Sequence, residues 1–273
     1  MILVVASRKD PASLRIKNQI LKHYRFKATT KFEEESTYEA EIGSRHVRLV
    51  TLKEELTHAQ NLAQQFTDVE LAVFISRHSS VSGKPTLSVH TPGNLGEAEY
   101  GGVTREVSVS PANAMREALR ILAKLKQERQ LKYEVSYEGT HHGPSLNVPA
   151  MFVELGSSAE QWKDTDAADV VAHAAMGAIS TFNNSHAKVT LGIGGPHYNA
   201  KFTRLALENN MAFGHMIPKY AVSQIDEAML KKCVEKTFEN VNSIVLDWKG
   251  IRGEDKQKLM EVLAKIDIQA EKV

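Results

Sequence analysis

Six of the eleven histidines in this 273-residue chain stand where a short apolar run passes into a loop rich in glycine and proline. His78 ends Ser76-Arg77-His78, and His90 immediately precedes Thr91-Pro92-Gly93-Asn94. His141 and His142 are adjacent in Gly139-Thr140-His141-His142-Gly143-Pro144-Ser145. His197 follows Gly192-Ile193-Gly194-Gly195-Pro196, and His215 lies in Gly214-His215-Met216-Ile217-Pro218. Near neutral pH an imidazole serves as a zinc ligand or as a general base. Glycine lets backbone approach a ligand closely, and proline stiffens the loop that carries it. Gathered in one place, these side chains would suit metal-assisted or histidine-based hydrolysis.

Carboxylates can complete such a site. Glu154 lies in the apolar run 148–155, where an acid is costly without a partner, and is a candidate ligand or base. Glu138, just before Gly139, reads more as an outward-facing residue, and Glu97 and Glu99 read as solvated loop acids. His23, His46 and His58 read as surface residues and His186 as a loop residue. His173, among small apolar neighbours, reads first as a satisfied core histidine and second as a ligand.

Other chemistries lose ground. No His-Glu-x-x-His, Gly-x-Ser-x-Gly or P-loop string is present, and the residues 192–196 break the dinucleotide-binding pattern. With one cysteine, Cys233, neither an internal disulfide nor a Cys-rich zinc site can form, so a zinc here must use histidine and carboxylate. Thirty-four basic against 33 acidic residues leave a net charge of +1, no global signature of nucleic-acid binding, though a local basic rim fits the balance. The apolar start is short and runs straight into Arg8, Lys9 and Asp10, unlike a secretory signal, and no apolar run is long enough to span a bilayer. A cytoplasmic protein is expected.

The elements that must position these residues alternate. Strands are expected at 2–6, 38–42, 47–52, 71–75, 86–89, 133–138, 148–155, 189–193, 211–215 and 243–247. Helices are expected from Asp10-Pro11 onward, at 57–66, 111–132, 165–182 and 199–208, from a Ser223 cap to about 236, and near the end. In the third of these, Met115, Ala118, Leu119, Leu122 and Leu125 form one face. The pattern predicts an α/β fold, a mixed and mainly parallel sheet covered by helices on both faces. A single domain over 1–273 is expected, with an irregular excursion at about 77–104. In such sheets ligands gather beyond the carboxyl ends of the strands, where the histidines would converge.

The strings from 141 to 145, 194 to 203 and 214 to 221, with Ser7-Arg8-Lys9-Asp10-Pro11-Ala12-Ser13, Ser76-Arg77-His78 and His90-Thr91-Pro92-Gly93-Asn94, together resemble the archaeal and plant type of D-aminoacyl-tRNA deacylase. The resemblance runs to about residue 250. It implies hydrolysis of the ester between a D-amino acid and the tRNA 3′ ribose, with free tRNA as a product. It also implies zinc, up to two ions per chain, a monomer, and a phosphorylase/hydrolase-like fold similar to peptidyl-tRNA hydrolase.

On this reading His78, His90, His141 and His215 are the expected metal ligands, and His142, His197 and Glu154 the expected catalytic groups. A zinc-activated water would attack the aminoacyl carbonyl, with the N–H groups of Gly194 and Gly195 as an oxyanion hole. Lys9, Lys201 and Lys219, with Lys84 and Arg204, would meet tRNA phosphates, and Tyr198 or Phe202 would stack on the terminal adenine. Rejecting L-substrates requires a penalty on the wrong Cα configuration. Two alternatives remain: a zinc-dependent peptidase or amidase of the same fold class, and a non-enzymatic RNA-binding protein with structural histidines.

Overall fold

The computed structural model describes residues 1–184 and 186–273. In chain order the elements are β1 (Ile2–Ser7), α1 (Pro11–His23), β2 (Lys27–Phe32), β3 (Glu35–Ile42), β4 (Arg45–Leu52), α2 (Leu62–Gln65), β5 (Leu71–Arg77), β6 (Thr86–His90) and α3 (Ala112–Glu128). Then come β7 (Glu134–Tyr137), β8 (Ala150–Gly156), α4 (Thr165–Ser180), β9 (Lys188–Ile193), α5 (Ala200–Glu208), β10 (Met211–Ile217), α6 (Glu227–Glu235), β11 (Ser243–Leu246), α7 (Gly253–Leu263) and β12 (Ala270–Lys272).

Eight strands form one mixed sheet in the order β2-β3-β4-β1-β5-β8-β6-β7, and four form a parallel sheet in the order β10-β9-β11-β12. The fold is α/β, mixed and mostly parallel, with helices on both sides. In the large sheet β4, β1, β5 and β8 run parallel, whereas β6 is antiparallel to β8 and carries β7 with it. Every residue of β1, β5 and β8 except Arg77 is buried, because these strands are covered on both faces. Alternation sorts their side chains. Val73, Ile75, Met151 and Val153 pack with Ile16 and Ile20 of α1, Met115 and Leu119 of α3, and Val171 of α4. On the opposite face Phe74 stacks on Phe152 beside Leu3, Val50, Leu56 and Leu62. The small sheet joins the first core through Phe213 and Met216, and a further cluster covers its other face with α6 and α7.

Three expectations change. The helix expected at 57–66 is broken into a turn at Leu56–His58 and the short α2, because the Gln60 amide is drawn into paired hydrogen bonds with the backbone of Ser145. Ser223 lies in the turn Val222–Gln224, and α6 starts later, capped by Asp226, whose carboxylate accepts from the Met229 N–H. Two edge strands, β2 and β12, were not expected. Part of the region 77–104 is regular, since β6 sits inside the large sheet between β8 and β7. Among the described residues no helix is long and apolar enough to cross a membrane.

Candidate active site

The reversal of strand direction between β8 and β6 places the site. Ser76 and Ser88 pair in register with Glu154, so all three side chains point to the Phe74–Phe152 face. His90, paired with Phe152, stacks on its ring at 5.1 Å between centroids. The histidines therefore gather over a face of the sheet, not at the common carboxyl edge expected from parallel strands.

Two carboxylates form the floor. Glu154, 3% exposed, accepts a 2.6 Å hydrogen bond from the Ser76 hydroxyl and lies 3.2 Å from His78 Nδ1. Glu138, fully buried, lies 3.2 Å from the same His78 nitrogen and 2.9 Å from His197 Nε2. Glu138 follows β7, and the 194–199 loop docks beside it. The Gly139 N–H donates to the His197 carbonyl, and the Asn199 N–H to the Tyr137 carbonyl. Asn199 also caps α5 through Phe202 N–H and donates its amide to the Gly194 carbonyl, which fixes the loop carrying His197.

His78 is gripped from both ends, its Nε2 facing the Tyr198 hydroxyl. Burial alone would lower its pKa, but the charges of Glu138 and Glu154 outweigh it and carry it to about 9. Burial would likewise raise both carboxylates, yet His78 with His197 holds Glu138 low, and His78 with His90 holds Glu154 well below the usual range. His78 thus sits between two carboxylates, the setting of a cation between two anions.

His90, His141 and His142 form a second group, with ring centroids 4.2–4.9 Å apart. Burial first, then crowding by neighbouring histidines, pushes His141 well below its ordinary value and His142 to about 4. His141 Nδ1 donates to the Gly139 carbonyl at 2.8 Å and His142 Nδ1 to the Gly143 carbonyl at 2.7 Å, which leaves each Nε2 with a lone pair. His142 takes a left-handed backbone, φ 41°, uncommon outside glycine and held by the surrounding loop. Among the described residues, neither ring nitrogen of the buried His90 has a hydrogen-bond partner.

Ligand atoms of His90, His141 and His142 lie within 4.8 Å of one another, as do those of Glu138, His141 and His197 and those of His78, Glu138 and Glu154. In the first group His141 and His142 are neutral imidazoles with backbone-anchored second nitrogens, and they face His90, whose pKa burial would lower but the charge of Glu154 pushes up, a donor set that suits a zinc ion.

Two cavities meet at His141 and His142. One, about 670 Å³, reaches Asn94, Glu99, Tyr100, Tyr220 and Gln224. The other, about 890 Å³, reaches Leu56, Thr57, Val81, Phe152 and Tyr198. Tyr100 and Tyr220 are 69% and 46% exposed at the mouth, and the Tyr220 hydroxyl lies 3.1 Å from His197 Nδ1.

The structure thus brings together His78, His90, His141, His142, His197, Glu154 and Tyr198. His215 is not among them. Its Nδ1 faces the Thr140 hydroxyl at 3.2 Å and its Nε2 donates to the Lys236 carbonyl at 3.1 Å, so it braces the backbone before His141. The oxyanion-hole expectation also fails, because the Gly194 and Gly195 N–H groups already donate to the carbonyls of Ile217 and Gly250. Their positive φ angles and missing Cβ atoms serve a packed turn against Ile251 and Asn199. Lys201 is tied to Asp247 at 2.5 Å, and Phe202 stacks on Phe213 in the core. Arg204 faces Glu208, and Lys84 lies 4.0 Å from Glu134. Lys9 and Lys219 are exposed, and among the described residues neither side chain has an ion-pair partner. Sequence reasoning weighed Glu138 without selecting it, and missed Tyr100 and Tyr220. A signal for the first was present, an acid three residues before His141.

The buried histidines set a pH dependence of stability. His142 and His215 are both pushed down by burial to about 4 from an ordinary 6.5. Through that window the unfolded chain binds protons that the folded chain does not. Their contribution is complete above pH 6.5 and is lost as pH falls toward 4. The melting temperature of metal-free protein is expected to drop on acidification across this range. A flat profile there would contradict the assignment.

The D-aminoacyl-tRNA deacylase family profile matches residues 65–271. The D-aminoacyl-tRNA deacylase of Thermococcus kodakarensis is 35% identical, with 98% of each chain covered. That of Pyrococcus abyssi is 35% identical over 94% of each chain, and that of Methanosarcina mazei 36% identical over 98% of this chain and 91% of its own. A crystal structure of a conserved protein of unknown function, 30% identical, matches with a TM-score of 0.88 over 100% of this chain and 95% of the other. With its matched region containing His78, Glu138, Glu154 and the histidine trio, the chain belongs to the D-aminoacyl-tRNA deacylase family.

Proposed function

We propose that the chain hydrolyses the ester joining a D-amino acid to the 3′ ribose of tRNA, at the cluster between the two cavities. The observation that carries this reading is the pair of buried carboxylates facing three imidazoles, at the junction of two openings large enough for the two halves of such an ester. The names of the relatives supply the substrate class.

Hydrolysis adds water across the ester. The water oxygen bonds to the acyl carbon, the ribose oxygen departs, and one proton must leave the water while another reaches the ribose. His90, His141 and His142 are the residues that would hold zinc, and a second ion using Glu138 and His197 would have to share His141. Zinc, when bound, lowers the pKa of water and polarises a carbonyl. His197 stands at the mouth between Glu138 and the Tyr220 hydroxyl, placed to carry the proton to the departing ribose oxygen. Glu154 and Glu138, kept ionised by His78, hold the proton-bearing imidazoles in position.

The smaller cavity suits the terminal adenosine. Tyr100 and Tyr220 offer exposed ring faces, and stacking of a base on an aromatic is worth about 1–3 kcal/mol. The larger cavity, with Leu56, Thr57, Val81 and Phe152, suits the amino-acid side chain. Lys9 and Lys219 would meet phosphates, so binding should weaken with salt.

The test is release of the free amino acid from tRNA charged with a D-amino acid, using the purified full chain. Release with intact tRNA is expected, and no release above the spontaneous rate would contradict the reading. A Gly156→Ala variant probes His78 from outside the cluster. A Cβ there would lie 2.6 Å from the His78 Cβ, so the chain at this contact must shift and displace the His78 ring relative to Glu138 and Glu154. A loss of about 10²-fold in rate is expected, the scale of a misplacement near 1 Å. An unchanged rate would remove His78 from the mechanism.

A further inference from the structure

On the helical side of the large sheet, away from the Phe74–Phe152 face, α1 and α4 pack side by side. Asp169 and His173 are one turn apart on α4, and His23 closes α1 opposite them. Asp169 is only 7% exposed. Its Oδ1 lies 2.6 Å from His23 Nε2 yet among the described residues has no aligned hydrogen bond, and its Oδ2 lies 3.5 Å from His173 Nε2. The Tyr24 hydroxyl meets His173 Nδ1 at 2.9 Å, which orients the ring with Nε2 toward Asp169. One ligand atom from each of the three residues lies within 4.8 Å of the others.

We infer that His23, Asp169 and His173 form a divalent transition-metal site, distinct from the catalytic cluster, which clamps the end of α1 to α4. Two imidazoles and one carboxylate select zinc, or another first-row metal, over magnesium and calcium, which prefer all-oxygen shells. Around tetrahedral zinc, ligand atoms sit about 3.3 Å apart given bonds of about 2.0 Å, so small side-chain rotations from the observed spacings suffice. A built site also fixes the ring nitrogen that does not face the ion, and here His173 Nδ1–H would donate to the Tyr24 hydroxyl oxygen, leaving the Nε2 lone pair for the metal. Arg129 also contacts Asp169 Oδ2. It orients the carboxylate and leaves Oδ1 for the ion, but it competes electrostatically with a cation.

The experiment compares zinc content per chain, after equilibrium dialysis against zinc, for the full-length parent, His23→Ala/His173→Ala and Arg129→Gln. The double variant is expected to bind one zinc fewer than the parent while keeping the parent's circular dichroism and deacylation rate. Arg129→Gln is expected to bind zinc at this site about tenfold more tightly, since a like charge has been removed. If the double variant does not fold, His23→Gln at the solvent end of the cluster replaces it, with the same loss expected. Equal zinc content in parent and folded variant, or weaker binding by Arg129→Gln, would overturn the site. Because the readout is metal content, failure here leaves the deacylase reading standing, and failure of that reading leaves this site standing.

Discussion

Replacing Glu138 by glutamine is expected to lower the rate of D-aminoacyl-tRNA hydrolysis by about 10²–10⁴-fold, the range for loss of positioned acid–base function. The side chain keeps its shape, so packing is nearly preserved, while the charge is lost. That charge lies 3.2 Å from His78 Nδ1 and 2.9 Å from His197 Nε2, in a fully buried position where little else screens it. Without it His197 loses the carboxylate that holds its Nε2, and His78 keeps only Glu154. Single-turnover deacylation separates the chemical step from substrate binding. A rate within threefold of the parent, with a native circular dichroism spectrum, would show that Glu138 is structural and would dismantle the proposed proton path.

The second large effect separates histidines that look alike in sequence. His142→Ala removes one of three neighbouring imidazoles with a free ring nitrogen, and should cost zinc binding together with at least about 10²-fold in rate. His215→Ala should do something different. It removes two buried hydrogen bonds, one to the Lys236 carbonyl and one with the Thr140 hydroxyl, at about 0.5–1.5 kcal/mol of stability each, while those groups keep the Ser110 and Met216 N–H donors, and it leaves the zinc stoichiometry unchanged. Metal analysis and urea unfolding on the two variants give the contrast. Retention of full zinc content by His142→Ala would remove the His90, His141 and His142 group as the proposed holder.

These two residues also show what a sequence discloses and what it withholds. His142 and His215 both lie in Gly/Pro-rich strings whose glycines make room for neighbours, Gly143 for the backbone of Thr57, Gly101 and Gly102 and Gly214 for Thr237, yet only the first string also faces the cavities, through His141 and His142. Local composition cannot distinguish a loop shaped for a ligand from one shaped for a neighbour. The central strands β1, β5 and β8 were legible because burial on both faces demands an unbroken apolar run, and α3 because its apolar face repeats with the helical period. The edge strand β2 is polar and exposed, so it carries no such pattern. Strand direction is illegible for a different reason. Whether β6 runs with or against β8 depends on their pairing, and that choice moves the histidines from the sheet's edge to its face. Glu138 became a site residue only when the 194–199 loop docked beside β7, a contact made across some sixty residues of chain.

The cluster is proposed to break the ester of D-aminoacyl-tRNA and to spare the L-form. The most direct measurement is kcat/KM for the same tRNA charged with the D- and the L-form of one amino acid, determined side by side. Hydrolysis of the D-form is expected at a value at least about 10²-fold above that of the L-form, the scale a shaped pocket can reach. Equal values for the two enantiomers, or hydrolysis of neither, would contradict it.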